Sequence, residues 1–334
     1  MKSRKPPPNP LPWLFAVLLA LVVVVLGAYT RLSDAGLGCP DWPGCYGHIG
    51  VPGTAEAIDR ANQAFAHRPV EPAKAWKEMV HRYAAGLLGL TVLGLTISAW
   101  RRGAGRVLAT ALLLLIAFQA ALGMWTVTLQ LKPVIVMGHL LGGFGVLSLL
   151  WLGYLGARSY VPDRRAPPVR LRRLALIGIA VLVVQIALGG WTSANYAALA
   201  CPTFPKCMGE WWPPMDMAEG FVLWRGLGVN YEFGVLDSPA RVAVHMAHRA
   251  WALVALAYLG FVGFYTARRC TGPLRAAAVA LLVLLAAQVS LGIANVWLGL
   301  PLPVAAAHNA VAAVLLLSLL SLTHTLYRSG TARG

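Results

Sequence analysis

Long apolar segments alternate with short polar segments along most of the chain. A helix that crosses a bilayer needs about 20 mostly apolar residues. Eight stretches of this kind occur, near 12–30, 79–99, 107–127, 134–156, 174–192, 242–266, 275–296 and 304–326. With 58% hydrophobic and 12% charged residues, the chain is also too apolar for a soluble protein. We therefore predict an all-α integral membrane protein with eight transmembrane helices.

The distribution of charge predicts how these helices are oriented. If the amino terminus is cytoplasmic, 17 of the 28 Lys and Arg residues fall in cytoplasmic segments, where Asp163 is the only acid. This asymmetry follows the positive-inside rule and places both termini in the cytoplasm. The net charge of +16 then indicates contact with anionic lipids rather than with nucleic acid. The basic start of the chain also fits a cleaved signal peptide, although no clear small-residue cleavage site follows.

The sequence repeats itself over nearly its whole length. LGAYTRLSDAGLGCPDWPGC, from Leu26, aligns without a gap with LGGWTSANYAALACPTFPKC, from Leu188. EMVHRYAAGLLGL, from Glu78, aligns with HMAHRAWALVALA, from His245. Further along, Gln119, Gly123 and His139 match Gln288, Gly292 and His308.

The repeat predicts two pseudo-symmetric four-helix bundles. Four helices return the chain to the same side of the membrane, so the simplest relation between the copies is an axis along the membrane normal. We assign residues 1–160 to the first copy and 174–334 to the second. The segment 161–173 between them has the Pro and Arg content of a cytoplasmic linker.

Four histidines occupy equivalent positions in the two copies: His81, His139, His248 and His308. Each is expected a few residues past the start of a helix that enters from the external face, so all four share one depth. A helix amino terminus disfavours protonated imidazole, which leaves a neutral nitrogen for a metal. Because little Asp, Glu or Cys lies alongside, facing histidines suit an axially ligated haem iron. The alternative is histidines satisfied by hydrogen bonds across helix interfaces.

Charged residues beside these histidines have two interpretations each. Arg82 and Arg249 are candidates to bind haem propionates, since guanidinium pairs with carboxylate in a bidentate manner, or they extend to lipid headgroups. Glu78, one turn before His81, either caps its helix or accepts protons in catalysis. The second copy has His245 in its place, which indicates one catalytic haem site and one electron-transfer site.

Two cysteine pairs share the pattern Cys-Pro-x-aromatic-Pro-x-Cys in predicted external loops. They are Cys39 with Cys45 and Cys201 with Cys207. A short loop in an oxidising compartment favours a disulfide, and a four-cysteine zinc site is the competitor, although the spacing is wider than usual. A structural role is the simpler interpretation for the second pair. For the first pair, thiol exchange with a thioredoxin-like partner is an equal alternative.

Taken together, the motifs EMVHR, GH at His139, HR at His248 and AHN at His308, with the cysteine pairs, resemble the haem A synthase family. The resemblance extends from about Leu14 to Tyr327. It implies that the C8 methyl of haem O is hydroxylated twice, and that the gem-diol loses water to give the formyl group of haem A, which terminal oxidases use.

The resemblance also implies a division of roles. Substrate haem O is expected near His81 and His139 with Glu78 in catalysis, and a resident haem b at His248 and His308. His245 lies on the same face as His248, so it is a second candidate ligand. No dinucleotide fingerprint or P-loop is present, so a quinol or another membrane donor is the expected electron source, and a haem O synthase is the expected partner.

Two other functions fit the same residues. A di-haem b-type electron carrier uses the same four histidines without modifying a haem. A transporter fits the internal repeat, but no broken helix is evident at mid-membrane depth in the sequence. The presence of Glu78 in only one copy favours the enzyme over the carrier.

Overall fold

The computed structural model describes residues 9–158 and 169–331. Its helices are α1 (Leu11–Leu32), α2 (Ala55–Ala64), α3 (Pro72–Arg102), α4 (Arg106–Thr128), α5 (Pro133–Ala157), α6 (Val169–Ala194), α7 (Met217–Gly220), α8 (Ser238–Arg269), α9 (Gly272–Trp297) and α10 (Leu302–Thr331). Within these residues, all except α2 and α7 are long and apolar enough to cross a membrane. The predicted all-α, eight-span architecture is confirmed.

Three of the long helices begin earlier than the apolar pattern predicts. α3 and α8 each have a proline in the first turn, where the missing backbone N–H leaves no helical hydrogen bond unmade. The side chain of Asp237 caps α8 by accepting from the Ala240 N–H at 3.0 Å. α6 begins at Val169, so the end of the predicted linker 161–173 is helical. The apolar pattern does not show this start, because the first turns of the helix contain arginines. The remainder of that linker lies outside the described residues.

Each half forms a ring of four helices with the same order of neighbours. In the first half, α1 contacts α3 and α5, and α4 closes the ring between them. In the second half, α6 contacts α8 and α10, and α9 closes the ring. The halves meet where α5 contacts α6 and α10, and where α1 contacts α10. This order is compatible with two four-helix bundles, whose pseudo-symmetry stays a prediction.

Small residues allow the helices to approach closely. Ala16 and Ala20 of α1 are fully buried in the main apolar core. A Cβ added to Gly153 of α5 would overlap the indole of Trp13 on α1. Since lipid is as apolar as leucine, such close backbone contacts contribute to helix association in a membrane where hydrophobic burial contributes little.

The segments 33–71 and 195–237 fold into a layer at one end of the bundles, which we call the loop layer. α2 lies in this layer and is capped by Thr54, whose hydroxyl accepts from the Ala57 N–H at 3.2 Å. The apolar pattern does not predict α2, because the helix has ten residues and a mostly polar surface. Tyr46 is 3% exposed, and this burial raises its pKa to about 12. The loop layer is therefore a packed structure.

Side chains of the loop layer link the two halves. Arg68 binds the Glu232 carboxylate through two bonds of 3.0 and 2.7 Å, and this hydrogen bonding raises the pKa of Arg68. Lys132, at the start of α5, is buried; it donates to the Gly226 carbonyl and lies 3.3 Å from the centroid of the Trp224 ring. Both cations come from the first half, and their partners come from the second.

Arg31 makes a further link between the halves, near the ends of α1 and α6. Its guanidinium donates to the carbonyl of Ser193 at 2.7 Å and lies 4.0 Å from the centroid of the Tyr196 ring. The carbonyl belongs to the last turn of α6, where backbone oxygens have no helical donor. A side chain of α1 therefore donates a hydrogen bond to the carboxyl-terminal end of α6.

We expect the Arg68→Ala variant to lower the thermal unfolding midpoint, because Glu232 would keep a mostly buried charge without its partner. The expected loss in the free energy of unfolding is roughly 1–3 kcal/mol. The measurement is intrinsic tryptophan fluorescence of the purified protein during heating. Arg60→Ala is the matched control, since Arg60 pairs with Glu56 on an exposed face and such pairs contribute little. Equal midpoints for the two variants would contradict the proposed link.

Candidate functional site

A connected cavity of about 1490 Å³ runs between the two halves. All four histidines predicted as ligands line it: His81, His139, His248 and His308. The volume exceeds the roughly 300–1,000 Å³ typical of pockets for drug-sized ligands. The structure therefore brings the four histidines to one internal space that is large enough for very bulky ligands.

The histidines of α3 and α8 lie further into their helices than predicted. His81 is nine residues past the start of α3 and His139 is six past the start of α5. At about 1.5 Å per residue these offsets are roughly 14 and 9 Å along the helix. The added turns at the start of α3 and α8 explain the difference, because they extend into the loop layer. The expected position near the helix start was therefore wrong for His81 and His248.

The rings of His81 and His139 face each other across the first half. Their centroids are 6.4 Å apart and their planes are perpendicular. Two metal–imidazole bonds of about 2 Å, together with ring radii of about 1.1 Å, require roughly 6 Å between centroids. The spacing therefore fits a metal ion held axially by both rings, and it supports the haem interpretation over separate structural histidines.

A glycine on a neighbouring helix makes room for each histidine ring. A Cβ added to Gly27 of α1 would lie 2.9 Å from Cε1 of His81, and one added to Gly189 of α6 would lie 3.1 Å from Cε1 of His248. Gly123 and Gly292 stand in the same relation to His139 and His308, at 3.4 and 3.3 Å. The distances at Gly27, Gly189 and Gly292 are shorter than ordinary van der Waals contact, so a side chain there would press on a ring; at Gly123 the distance is an ordinary contact.

The sequence interpretation aligned these glycines between the copies but gave them no role. The signal that identifies them is a pentapeptide that occurs four times and ends in Leu-Gly: VVVLG, QAALG, QIALG and QVSLG, ending at Gly27, Gly123, Gly189 and Gly292. Three of the four begin with glutamine. The copy on α1 begins with Val23 instead.

This difference gives the two halves unequal histidine environments. The Gln185 amide nitrogen lies 3.2 Å from Nδ1 of His248. Val23 takes the place of Gln185 in the first half, and there Nδ1 of His81 has no hydrogen-bond partner among the described residues. Groups beside the second ring nitrogen orient a metal-binding histidine. His248 has a side-chain amide in this position, and His81 does not.

Glu78 and His245 occupy equivalent positions below the two disulfide loops. Glu78 accepts from the Cys39 N–H at 2.9 Å and from Arg82 at 2.5 Å. His245 places Nδ1 3.2 Å from the Cys201 N–H and Nε2 3.1 Å from Nε of Arg249. A carboxylate can accept both bonds, whereas a neutral imidazole accepts at one nitrogen only.

These contacts separate the two candidate ligands on α8. His245 is 4% exposed, and a protein donor lies beside each of its ring nitrogens, of which a neutral ring uses one as acceptor. His248 is half-buried and lies against Gly189 at the cavity. The geometry therefore favours His248 as the ligand on this helix.

Arg82 and Arg249 hold the disulfide loops. Arg82 donates to the carbonyls of Asp41, at 3.0 Å, and Gly44. Arg249 donates to the carbonyl of Cys201 at 2.7 Å. Both arginines also line the cavity, and their pairing with propionates stays a prediction.

Both predicted disulfides are present. Cys39 is bonded to Cys45, and Cys201 to Cys207. All four cysteines are buried, and because their sulfurs are paired in disulfides, no thiolate is left for the four-cysteine zinc site. Because the Cys39 backbone is hydrogen-bonded to Glu78, the first disulfide loop is part of the site.

Known proteins match this chain over nearly its whole length, and three of them share one description. The model of the family described as cytochrome oxidase assembly protein matches residues 12–320. The heme A synthase of Shewanella oneidensis is 46% identical, and the alignment covers 96% of this chain and 98% of that protein. The heme A synthase of Rhizorhabdus wittichii is 32% identical, covering 97% and 96%. That of Sphingopyxis alaskensis is 30% identical, covering 95% and 91%.

We expect Gly189→Ala to displace the His248 ring and to weaken haem retention in the second half roughly tenfold or more, as loss of outer-shell support does in metal sites. The measurement is the haem-to-protein ratio of the purified protein. Gly94→Ala on α3 is the control, because a Cβ there has no atom within 4 Å in the described structure. An unchanged ratio in Gly189→Ala would contradict a tight fit behind His248.

Proposed function

This chain belongs to the family of cytochrome oxidase assembly proteins, and we propose how its two halves share the work of a haem A synthase. The enzyme is a multi-pass membrane oxidoreductase that converts haem O to haem A. That function replaces the di-haem carrier and the transporter that the residues alone left open.

In this proposal the first half binds haem O between His81 and His139, and the second half holds a resident haem b between His248 and His308. The observation that carries the proposal is the 6.4 Å spacing of the first pair of rings. A substrate must leave after each turnover, whereas a resident group must stay. The amide beside His248 and its absence beside His81, within the described structure, give the two pairs of histidines different surroundings.

Glu78 is the residue we assign to proton transfer in the first half. It lines the cavity one helical turn before His81 and is 4% exposed. Its carboxylate is held in place by the Cys39 N–H and by Arg82, so it is oriented before substrate arrives. When bound, the haem groups supply the redox chemistry, and Glu78 accepts or returns the protons that accompany it.

In this scheme the arginines orient each haem by binding its propionates. Arg82 and Arg249 line the cavity next to the loop layer, where the propionates of each haem would meet a polar boundary. Each guanidinium uses some of its donors on loop carbonyls, and Arg has five in all. Arg82 also pairs with Glu78, and Arg249 also donates to His245, so a propionate would use the N–H groups that these contacts leave over.

We further propose that both termini are cytoplasmic and that basic residues of the cytoplasmic loops contact anionic lipids. The support is the excess of Lys and Arg on that side. Electrons are expected from a quinol or another membrane donor. A haem O synthase is the expected partner, since an apolar substrate made in the membrane is best transferred within it.

Expression of the chain together with a haem O synthase, followed by extraction of pigments, tests the function directly. We expect haem A and its hydroxylated intermediate to accumulate. If neither forms while the purified protein contains two haems, the electron-carrier alternative would be favoured instead.

Replacement of Glu78 tests the division between the halves. Glu78→Gln is expected to abolish conversion, because an amide cannot accept the proton, and to leave haem b in place. Absorption spectra of the purified variant measure haem b, and pigment extraction measures conversion. Loss of haem b with retained conversion would mean that the halves have the opposite roles.

A further inference from the structure

We propose that the Gln119 amide is a subsite for the hydroxyl group on the isoprenoid side chain of haem O. The inference rests on the proposed function, in which the first half binds haem O. It concerns what this half recognises beyond the iron.

Gln119 is a buried amide that the protein leaves without hydrogen bonds. It is 7% exposed and lines the cavity, and neither its nitrogen nor its oxygen has a partner among the described residues. Buried polar groups are nearly always paired, because an unpaired one costs about 1–3 kcal/mol. Its equivalent in the second half, Gln288, instead lies 3.2 Å from the ring of His308. The free amide is therefore specific to the substrate half.

The amide lies close to the ring of His139. A Cβ added to Gly142 of α5 would overlap the Gln119 amide, so the two are in direct contact. Gly142 is three residues after His139, which places it on the same face of the helix, one turn further from the loop layer. A ligand held by His139 would thus have an edge beside Gln119.

The difference between Gln119 and Gln288 matches a chemical difference between the haems. Haem O carries a hydroxyl group followed by a long apolar chain where haem b carries a vinyl group. A hydroxyl both donates and accepts hydrogen bonds, as an amide does. The Gln119 amide would pair with the hydroxyl.

The test is a titration of the purified protein, with its resident haem in place, with haem O and separately with haem b, followed by the change in the Soret band. Wild-type protein is expected to bind haem O more tightly in the first half. Gln119→Leu should weaken haem O binding roughly five- to tenfold and leave haem b binding unchanged.

Gly94→Leu is the matched control, since Gly94 lies on α3 outside the cavity lining and has open space; its affinities should equal those of the wild type. The spectrum of the resident haem reports whether each variant is folded. Equal weakening of both haems by Gln119→Leu, or no change, would overturn the subsite, as would equal affinities in the wild type. If His81→Ala leaves haem O binding intact, the proposed function itself fails.

Discussion

The contact between an imidazole ring and the bare backbone of a neighbouring helix is the constraint on which the site depends. Each of the four cavity histidines lies against a glycine on the adjacent helix, within 3.4 Å of where a Cβ would stand. At three of the four positions a Cβ would lie closer than ordinary van der Waals contact, and the ring in turn separates the helices at that level. The positions of the rings and the packing of the helices therefore depend on each other, and this contact occurs four times in the chain.

The polar partners of this shared scaffold differ between the halves, as do the short helices α2 and α7. Glutamine neighbours a histidine nitrogen in the second half, and valine replaces it in the first. A carboxylate holds the first disulfide loop, and an imidazole holds the second. Such substitutions change what each half binds without changing how its helices pack, because none of them alters a helix length or the order of neighbours.

Helix number, the histidine set and the cysteine pairs follow from the sequence because each depends on local pattern or on the repeat. The sequence does not predict where α3, α6 and α8 begin, because their first turns are polar and the prediction relied on apolar residues. The short helix α2 is hidden for the same reason. The choice between His245 and His248 required side-chain contacts, since one helical face carries both. The free amide of Gln119 depends on distances between helices, which no residue pattern contains.

The contact of Arg31 with the end of α6 has a consequence for repeated chemistry. Because a charge of the first half binds the last turn of a helix of the second, rotation of one bundle against the other would break a partly buried hydrogen bond. The bond therefore opposes a change in the separation between the two halves of the cavity. In the proposed scheme, electrons would cross that same separation in each round of oxidation.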